Sequence, residues 1–165
     1  IIGWFQGGAE FGPRALGNRS ILTAPFPGEM KDILNSRVKF RETFRPFAPA
    51  ILSEFTSQYF DISQSSPHML IAVTVKKEKI SEIPAVVHVD NSARVQTVDK
   101  INNPLFRKLL ESFNKITDCP VLLNTSFNVK GQPIVNTPGD AIDCFLSTNI
   151  DTLAIGNFIA EKEDN

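Results

Sequence analysis

The alternation of short apolar segments with longer amphipathic segments constrains the fold of this chain more than any other feature. Apolar runs bounded by Gly and Pro have the length and composition of strands. They predict strands near residues 1–5, 20–24, 47–52, 69–75, 86–89, 94–98, 120–123, 152–155 and 158–160. Helical spacing of apolar residues predicts a helix over residues 29–38, and Pro13 predicts a short helical turn ending near Gly17.

Two further helices are predicted from their start signals. Asn103-Pro104 and Thr137-Pro138 each combine a capping side chain with a first-turn proline. The apolar positions that follow are Leu105, Phe106, Leu109, Leu110, Phe113 and Ile116 in one helix and Ala141, Ile142, Phe145 and Leu146 in the other. We therefore predict a single α/β domain over residues 1–160, with a twisted mixed β-sheet flanked by helices, and a disordered tail over residues 161–165.

The run VKFRETFRPFAP, from Val38 to Pro49, places three cations among aromatic residues and prolines. Residues 14–45 contain seven Lys or Arg and three Asp or Glu, a local charge of +4, whereas the whole chain carries −1. This asymmetry indicates a site for an anion, in which Arg41 and Arg45 would grip phosphate or carboxylate oxygens and Lys39 would act as a point charge. The alternative is a set of surface ion pairs, for which Glu42 is available.

A second candidate is the polar loop over residues 124–133, which follows a buried strand. In an extended backbone Ser126 and Asn128 project on the same side, so a hydroxyl and an amide could bind phosphate oxygens or an adenosine sugar. An ordinary turn rich in Asn and Ser explains the composition equally well. The chain contains no GxxxxGK[ST] and no GxGxxG, so a bound nucleotide would not be held by a P-loop or a Rossmann fingerprint.

The remaining candidates carry weaker signals. His88 and Asp90 could form a metal site or an acid–base pair, but the chain has only two histidines, and we favour a structural role for His88. Arg94 follows a turn and is a further candidate anion contact. Cys119 and Cys144 lie far apart in apolar surroundings, which indicates free thiols in a reducing cytoplasm and no zinc site.

The sequence also excludes several classes of protein. No apolar run approaches the ~18 to 20 residues that span a bilayer. A membrane is therefore not an expected partner. A nucleic acid is not an expected partner either, because the chain carries a charge of −1 and lacks an RNA-binding fingerprint. The chain opens inside the apolar segment IIGWF without an initiator Met, so we expect it to be part of a larger protein.

Several long motifs resemble the C-terminal domain of the nodulation and antibiotic O-carbamoyltransferases. They are GWFQGGAEFGPRALGNRSIL, MKDILNSRVKFRETFRPFAPAIL, VVHVDNSARVQTV and CPVLLNTSFNVKGQPIVNTPGDAIDCF. That domain is similar to the YrdC/Sua5 fold, whose motifs K-x-R and S-x-N match Lys39-Phe40-Arg41 and Ser126-Phe127-Asn128 here. The resemblance turns Ser126 and Asn128 into expected site residues.

The resemblance implies that the domain forms carbamoyl-adenylate from carbamoyl phosphate and ATP, with Mg²⁺ on the triphosphate. A separate N-terminal Kae1-like domain, absent from this chain, would then pass the carbamoyl group to a hydroxyl of a sugar, nodulation factor or antibiotic, and would hold the family's metal. The expected catalytic residues are Lys39, Arg41, Arg45 and Arg14. Those expected to bind ATP and carbamoyl phosphate are Lys39, Arg41, Arg45, Arg94, Ser126, Asn128 and Asn124. No protein metal ligand is expected in this chain.

The chain departs from the family pattern at Gly8, where family members often carry Arg. Two other functions stay open: a threonylcarbamoyl-adenylate synthase of tRNA modification, and a non-catalytic nucleotide- or nucleic-acid-binding module. The GPRALGNRS and HVDNSARVQTV motifs favour the carbamoyltransferase over the first alternative.

Overall fold

A computed structural model describes residues 1–162 of the chain. Its elements follow in the order β1 Ile2–Phe5, β2 Arg19–Thr23, α1 Met30–Leu34, β3 Ala48–Leu52, α2 Thr56–Tyr59, β4 Ala72–Thr74, β5 Ser92–Arg94, β6 Gln96–Val98, α3 Pro104–Thr117, β7 Val121–Ser126, α4 Pro138–Ser147, β8 Thr152–Ile155 and β9 Phe158–Glu161. The chain divides into two compact units, and β7 begins in one and ends in the other.

The first unit comprises residues 1–23, 32–45 and 124 onward. Its strands follow the order β7-β2-β1-β8-β9. Strand β1 pairs antiparallel with β2 and parallel with β8, and β8 pairs antiparallel with β9. The α/β class with a mixed sheet is therefore confirmed. The buried core residues of this unit include Ile21, Leu22, Phe127 and Leu153.

The helix predicted over residues 29–38 forms as α1 and continues as one π-helical turn, Asn35–Lys39. The turn closes when Phe40, at φ 48°, donates its backbone N–H to the carbonyl of Asn35. A π-turn inserts an extra residue into the helical register, and such turns are common at functional sites. Here it buries Lys39 at the end of the helical segment.

Helix α4 begins where the sequence predicts. The Thr137 side chain accepts from the backbone of Asp140, and the Asp140 carboxylate accepts from Thr137, which forms a capping box. Ala141 and Phe145 are buried as predicted, whereas Ile142 and Leu146 are exposed. The apolar face of α4 is thus narrower in the structure than its sequence suggests.

The second unit comprises residues 24–31 and 46–123. Strand β3 pairs parallel with β6, and β4 pairs antiparallel with β5 in a separate two-stranded sheet. Helix α3 starts at the predicted cap, where the Asn103 side chain accepts from the backbone of Phe106. Phe106 and Leu110 are buried, but the predicted inward residues Leu105 and Ile116 are exposed.

Two predictions of local structure are wrong. No helical turn forms between Pro13 and Gly17, because the backbone N–H groups of Leu16 and Asn18 donate to the Glu10 carboxylate at 2.7 Å each. Residues 86–89 form no strand; a 3₁₀ turn, Pro84–Val86, occupies the start of that segment. The apolar composition of such short runs does not distinguish a strand from a buried turn.

At the C-terminus, β9 extends to Glu161, one residue beyond the predicted strand. Residues 163–165 of the predicted tail lie outside the described residues. Both cysteines are buried free thiols, as predicted. No helix within residues 1–162 is long and apolar enough to cross a membrane.

Candidate anion-binding site

Lys39 is the centre of the candidate site in the first unit. Its side chain is buried, and only 3% of the residue is exposed. Four oxygen atoms surround its Nζ atom: the carbonyls of Ser126 and Asn128 at 2.7 and 2.9 Å, Asn128 Oδ1 at 2.8 Å and Ser126 Oγ at 3.3 Å. The structure therefore brings the K-x-R and S-x-N motifs into direct contact.

The end of strand β7 and the following residue, Phe127, orient the side chains of Ser126 and Asn128. Phe127 is fully buried, so the two flanking side chains project away from it, on one side of the extended backbone. The Ser126 hydroxyl donates to Asn128 Oδ1 at 2.8 Å, and Asn128 Nδ2 donates to the Gln132 carbonyl at 2.9 Å. These bonds fix the amide with its oxygen towards Lys39.

Asn35 orders the segment that carries the two arginines. Its buried side chain accepts from Arg41 Nε at 2.7 Å and donates to the carbonyls of Thr43 and Arg45 at 3.3 and 3.2 Å. Sequence reasoning missed this residue, because an Asn within a helical segment carries no signal that it organises the loop after the helix. The outcome is a defined position for Arg41 beside Lys39.

A pocket of about 210 Å³ opens over these side chains. It is lined by Lys39, Arg41, Arg45, Ser126, Asn128, Val129, Lys130 and Gly131. Lys130 was not predicted; a cation at that position of a polar loop is not distinguishable from a solvated lysine by sequence. Glu42 forms ion pairs with Arg45 at 3.1 Å and with Lys130 at 3.5 Å, so the predicted alternative partner of Arg45 is present.

Burial and neighbouring charge govern the electrostatics of the pocket. Burial, followed by the charge of Arg41, lowers the pKa of Lys39 from 10.5 to about 7. Burial also lowers the pKa of Arg41, and the adjacent Arg45 lowers it further. Because Arg41 lowers the pKa of Lys39 and Arg45 lowers that of Arg41, these like charges repel one another, and a bound anion would relieve the repulsion.

The predicted residues Arg14 and Asn124 lie elsewhere in the first unit. Arg14 is exposed on the loop that Glu10 caps, and Asn124 is buried, where its Nδ2 donates to the Ala15 carbonyl at 3.2 Å. Among the described residues, neither lines the pocket around Lys39. The hydrogen bond from Asn124 instead joins the loop of Arg14 to β7. A Cβ atom at Gly8 would meet nothing within 4 Å, so the backbone there leaves space for a side chain to begin.

The motif of His88 and Arg94 lies in the second unit. The Ser92 hydroxyl donates to Asp90 Oδ1 at 2.7 Å and lies 3.1 Å from Nδ1 of His88. The His88 backbone N–H also donates to the Ser92 carbonyl at 2.7 Å. Burial lowers the pKa of His88, although Asp90 opposes that shift. The side chains of His88, Asp90 and Ser92 thus contact one another within the turn, which is the arrangement expected of a structural histidine. Arg94 is the last residue of β5 and is half-buried.

A buried lysine, two arginines and a second lysine around one small polar pocket make this part of the α/β chain a candidate anion-binding site. Comparison with known sequences identifies the family. The family model described as carbamoyltransferase C-terminus matches residues 1–162. The chain therefore belongs to the family of carbamoyltransferase C-terminal domains, and the predicted resemblance is confirmed.

Individual relatives agree with this assignment. The chain is 47% identical over 165 residues to nodulation protein NolO of Bradyrhizobium diazoefficiens, covering 98% of the chain and 30% of that protein. It is 40% identical over 157 residues to the 3'-hydroxymethylcephem-O-carbamoyltransferase of Streptomyces clavuligerus, covering 95% of the chain and 30% of that protein. An uncharacterized Synechocystis protein is 47% identical over 182 residues, with coverages of 98% and 30%. The chain thus spans about 30% of the length of these relatives.

Proposed function

We propose that this chain is the activating domain of an O-carbamoyltransferase and forms carbamoyl-adenylate from carbamoyl phosphate and ATP. The observation that carries the proposal is the contact of buried Lys39 with Ser126 and Asn128, at 2.7 to 3.3 Å, beside Arg41, Arg45 and Lys130. A pocket built of cations and neutral oxygens suits phosphate groups, and family membership names the carbamoyl group as the unit transferred.

The proposed reaction has two steps. Water cleaves carbamoyl phosphate into carbamate and inorganic phosphate. A carbamate oxygen then attacks the α-phosphorus of ATP, and the bond between that phosphorus and the bridging oxygen of the β-phosphate breaks to release pyrophosphate. Negative charge grows on the phosphoryl oxygens and on the leaving group. The main task of the protein is therefore to neutralise this developing charge with cations that are already in position.

The chain offers residues for that task. Arg41, held by Asn35, presents a planar guanidinium suited to two phosphate oxygens, and Lys39 supplies a charge at the floor of the pocket. Ser126 and Asn128 would bind the nucleotide once the phosphates draw Lys39 towards them. Magnesium would arrive with the triphosphate. Arg14 and Arg94 remain proposed contacts for carbamoyl phosphate or the ATP phosphates.

A second cavity provides room for a nucleoside. It has a volume of about 780 Å³ and is lined by residues 132–136 together with Asp140, Asp143, Cys144, Leu146 and Ser147 of α4. Gln132 directly follows Gly131, the last lining residue of the phosphate pocket. Burial raises the pKa of Cys144, which lines the second cavity, and the charge of Lys39 partly opposes that rise. The size of the second cavity lies within the range of small-molecule sites, ~300 to 1,000 Å³. This proximity supports ATP over a free phosphate as the ligand.

The larger protein would complete the reaction. We propose that an N-terminal Kae1-like domain, which holds the family's metal, transfers the carbamoyl group from the adenylate to a hydroxyl of a sugar, nodulation factor or antibiotic. Dependence on ATP and carbamoyl phosphate would place the protein in the cytoplasm. The chain alone is then expected to modify no acceptor, and carbamoylation of an acceptor by the chain alone would contradict this division of labour.

The deciding experiment measures pyrophosphate release by the 165-residue chain with ATP and Mg²⁺. We expect release that depends on carbamoyl phosphate, with carbamoyl-adenylate detected by mass spectrometry. Release that depends on threonine and bicarbonate would identify a threonylcarbamoyl-adenylate synthase instead. ATP binding without release under either condition would identify a non-catalytic nucleotide-binding module.

A further inference from the structure

Glu42 is the acidic residue that contacts two cations of the phosphate pocket. Its Oε2 atom lies 3.1 Å from Arg45 Nε and its Oε1 atom lies 3.5 Å from Lys130 Nζ. Arg45 and Lys130 both line the pocket, and Glu42 itself is not among the lining residues within residues 1–162. The carboxylate therefore bridges two cations from outside the cavity that those cations help to form.

The Glu42 carboxylate interacts with Arg45 and Lys130 in the way that a bound anion would. A carboxylate and a phosphate both present two oxygens to an arginine, and each also accepts from a lysine ammonium. A phosphate group that used Arg45 and Lys130 would compete with Glu42 for the same donors. The charges of Lys39, Arg41 and Arg45 interact in sequence, since Arg41 lowers the pKa of Lys39 and Arg45 lowers that of Arg41. The bridge thus occupies one end of a connected row of cations.

Exposure makes the bridge easy to displace. The side chains of Arg45, Glu42 and Lys130 are 52%, 43% and 59% exposed, so each ion pair is weak in water. Glu42 and Arg45 are joined by a turn in which the Arg45 backbone N–H donates to the Glu42 carbonyl at 3.2 Å. Rotation of the carboxylate out of the bridge would break these two exposed ion pairs and its hydrogen bond to the Glu42 backbone.

We infer that Glu42 is a built-in competitor, which occupies Arg45 and Lys130 in the free protein and is displaced by a ligand with two or more linked phosphate groups. This inference deepens the proposed function, because it concerns the ligand selectivity of the same pocket. A single phosphate satisfies Lys39 and Arg41 and leaves the bridge in place. A diphosphate or triphosphate reaches further along the row and replaces Glu42. The carboxylate lowers the affinity for every polyanion by the fraction of protein in which the bridge is closed.

The test compares Glu42→Gln with the unmodified chain by calorimetry, using inorganic pyrophosphate and inorganic phosphate as probes. Glutamine keeps the shape and removes the charge. We expect roughly a three- to tenfold gain in pyrophosphate affinity, the range that one or two exposed ion pairs supports. The affinity for inorganic phosphate should change less. The matched control is Glu161→Gln, which removes the same charge from the exposed strand β9.

A structural role for Glu42 predicts the opposite sign, because loss of the bridge would loosen the segment of Arg45 and weaken pyrophosphate binding. A second measurement separates the two roles by following the Glu42 carboxyl carbon by NMR. A backbone hydrogen bond, followed by the charges of Lys130 and Arg45, lowers the pKa of Glu42 in the free chain. Pyrophosphate should raise that pKa by neutralising both cations. An unchanged or weakened pyrophosphate affinity in Glu42→Gln, or an unchanged titration of Glu42, would overturn the inference.

The outcome also separates this inference from the proposed function. If Glu42→Gln gains pyrophosphate affinity but neither protein forms carbamoyl-adenylate, the competitor role stands and the adenylation does not. If the chain forms carbamoyl-adenylate and Glu42→Gln gains no affinity, the competitor role fails alone. If neither protein binds pyrophosphate, both proposals fail.

Discussion

The Nζ atom of Lys39 lies 2.8 Å from Oδ1 of Asn128, a residue 89 positions further along the chain. All four oxygens around this ammonium are neutral: two backbone carbonyls, an amide and a hydroxyl. Neutral dipoles stabilise the lysine without cancelling its charge, so the charge remains available to a ligand. The identity of residue 128 therefore controls the field in the pocket.

Asn128→Asp should weaken ATP binding by tenfold or more. The new carboxylate would pair with Lys39, raise its pKa and cancel the charge that attracts phosphate. Asn128→Ala should weaken binding less, since it removes a hydrogen bond without adding negative charge. Calorimetric titration of both variants with ATP and Mg²⁺ measures the difference. An aspartate variant that binds ATP as tightly as the unmodified chain would contradict the proposed role of the amide.

Lys39→Ala should weaken ATP binding by at least tenfold, about 1.4 kcal/mol, because the pocket loses its buried charge. Lys115→Ala, on the exposed side of α3, is the control for the loss of one positive charge. Circular dichroism would establish that both variants fold. Equal ATP affinities for Lys39→Ala and Lys115→Ala would remove Lys39 from the site.

The affinity for ATP should fall as the pH rises above about 7. Lys39 has a pKa of about 7 in the free chain, so it is protonated below that pH and loses its proton above it. A bound triphosphate favours the protonated form, and its own last ionisation, near pH 6, is complete in this range. We expect a loss of up to about tenfold in affinity per pH unit between pH 8 and 9.5.

Lys39→Met supplies the control for this pH dependence. The variant should bind ATP weakly at every pH and show a flatter profile over the same range. Calorimetry in two buffers of different ionisation enthalpy would also detect the proton that the unmodified chain takes up on binding. A profile that is equally steep in Lys39→Met would assign the titration to another group.

Gly3→Ala should destabilise the fold and impair the site together. A Cβ atom at Gly3 would lie 2.7 Å from Cζ of Phe127 and 3.3 Å from Cδ1 of Leu153. Phe127 stands between Ser126 and Asn128, so a shift of its ring moves both polar side chains. Overpacking of this kind costs about 1 to 3 kcal/mol. Urea unfolding and ATP titration at a temperature where the variant is folded measure the two effects.

Gly8→Ala is the matched control, because a Cβ at Gly8 meets nothing within 4 Å. It should change neither stability nor ATP affinity appreciably. The double variant Gly3→Ala/Phe127→Leu should regain part of the stability and part of the ATP affinity that Gly3→Ala loses, since the smaller leucine side chain leaves space for the added methyl group. If Gly3→Ala lowers stability but leaves ATP binding intact, Phe127 does not position Ser126 and Asn128.

Arg107→Met should lower the free energy of unfolding by about 2 to 4 kcal/mol. The buried guanidinium donates to both carboxylate oxygens of Glu54, at 2.5 and 3.0 Å, to Glu111 at 2.8 Å and to the Val98 carbonyl at 3.1 Å. Removal of the donor leaves a buried carbonyl without this partner. Urea unfolding at pH 7 measures the loss, with Lys108→Met as an exposed control on the same helix. Equal midpoints for the two variants would contradict the structural role of Arg107.

The sequence predicted local structure best where a start signal and an apolar pattern agree. The caps at Asn103 and Thr137 form as expected, because a side-chain oxygen within three residues of the free N–H groups needs no tertiary partner. The turn predicted at Pro13 did not form, since Glu10 accepts the N–H groups that a helix would have used. A competing side-chain acceptor of this kind cannot be recognised from propensity.

The candidate site was predictable only in part. The residue types of Lys39 and Arg41 indicate an anion site, whereas Ser126 and Asn128 became expected site residues through the resemblance of their S-x-N motif. Glu42 was predicted as a partner of Arg45 but not of Lys130, and the roles of Asn35 and Lys130 were not predictable, because they depend on the position of a loop and on which charges face each other. Asn124 and Arg14 were predicted as ligand contacts, and the structure shows only that a hydrogen bond from Asn124 ties the loop of Arg14 to β7.

The sequence by itself determined the α/β class, the starts of α3 and α4 and the cations of the run from Val38 to Pro49, because these follow from residue type and spacing, and its motifs predicted the family by resemblance. Only the tertiary structure decided that a π-turn buries Lys39 against Ser126 and Asn128, and that Glu42 bridges Arg45 and Lys130. Burial, the resulting pKa of Lys39 and the pairing of charges arise from distances between segments far apart in the chain. Such distances exist only once the sheet has brought those segments together.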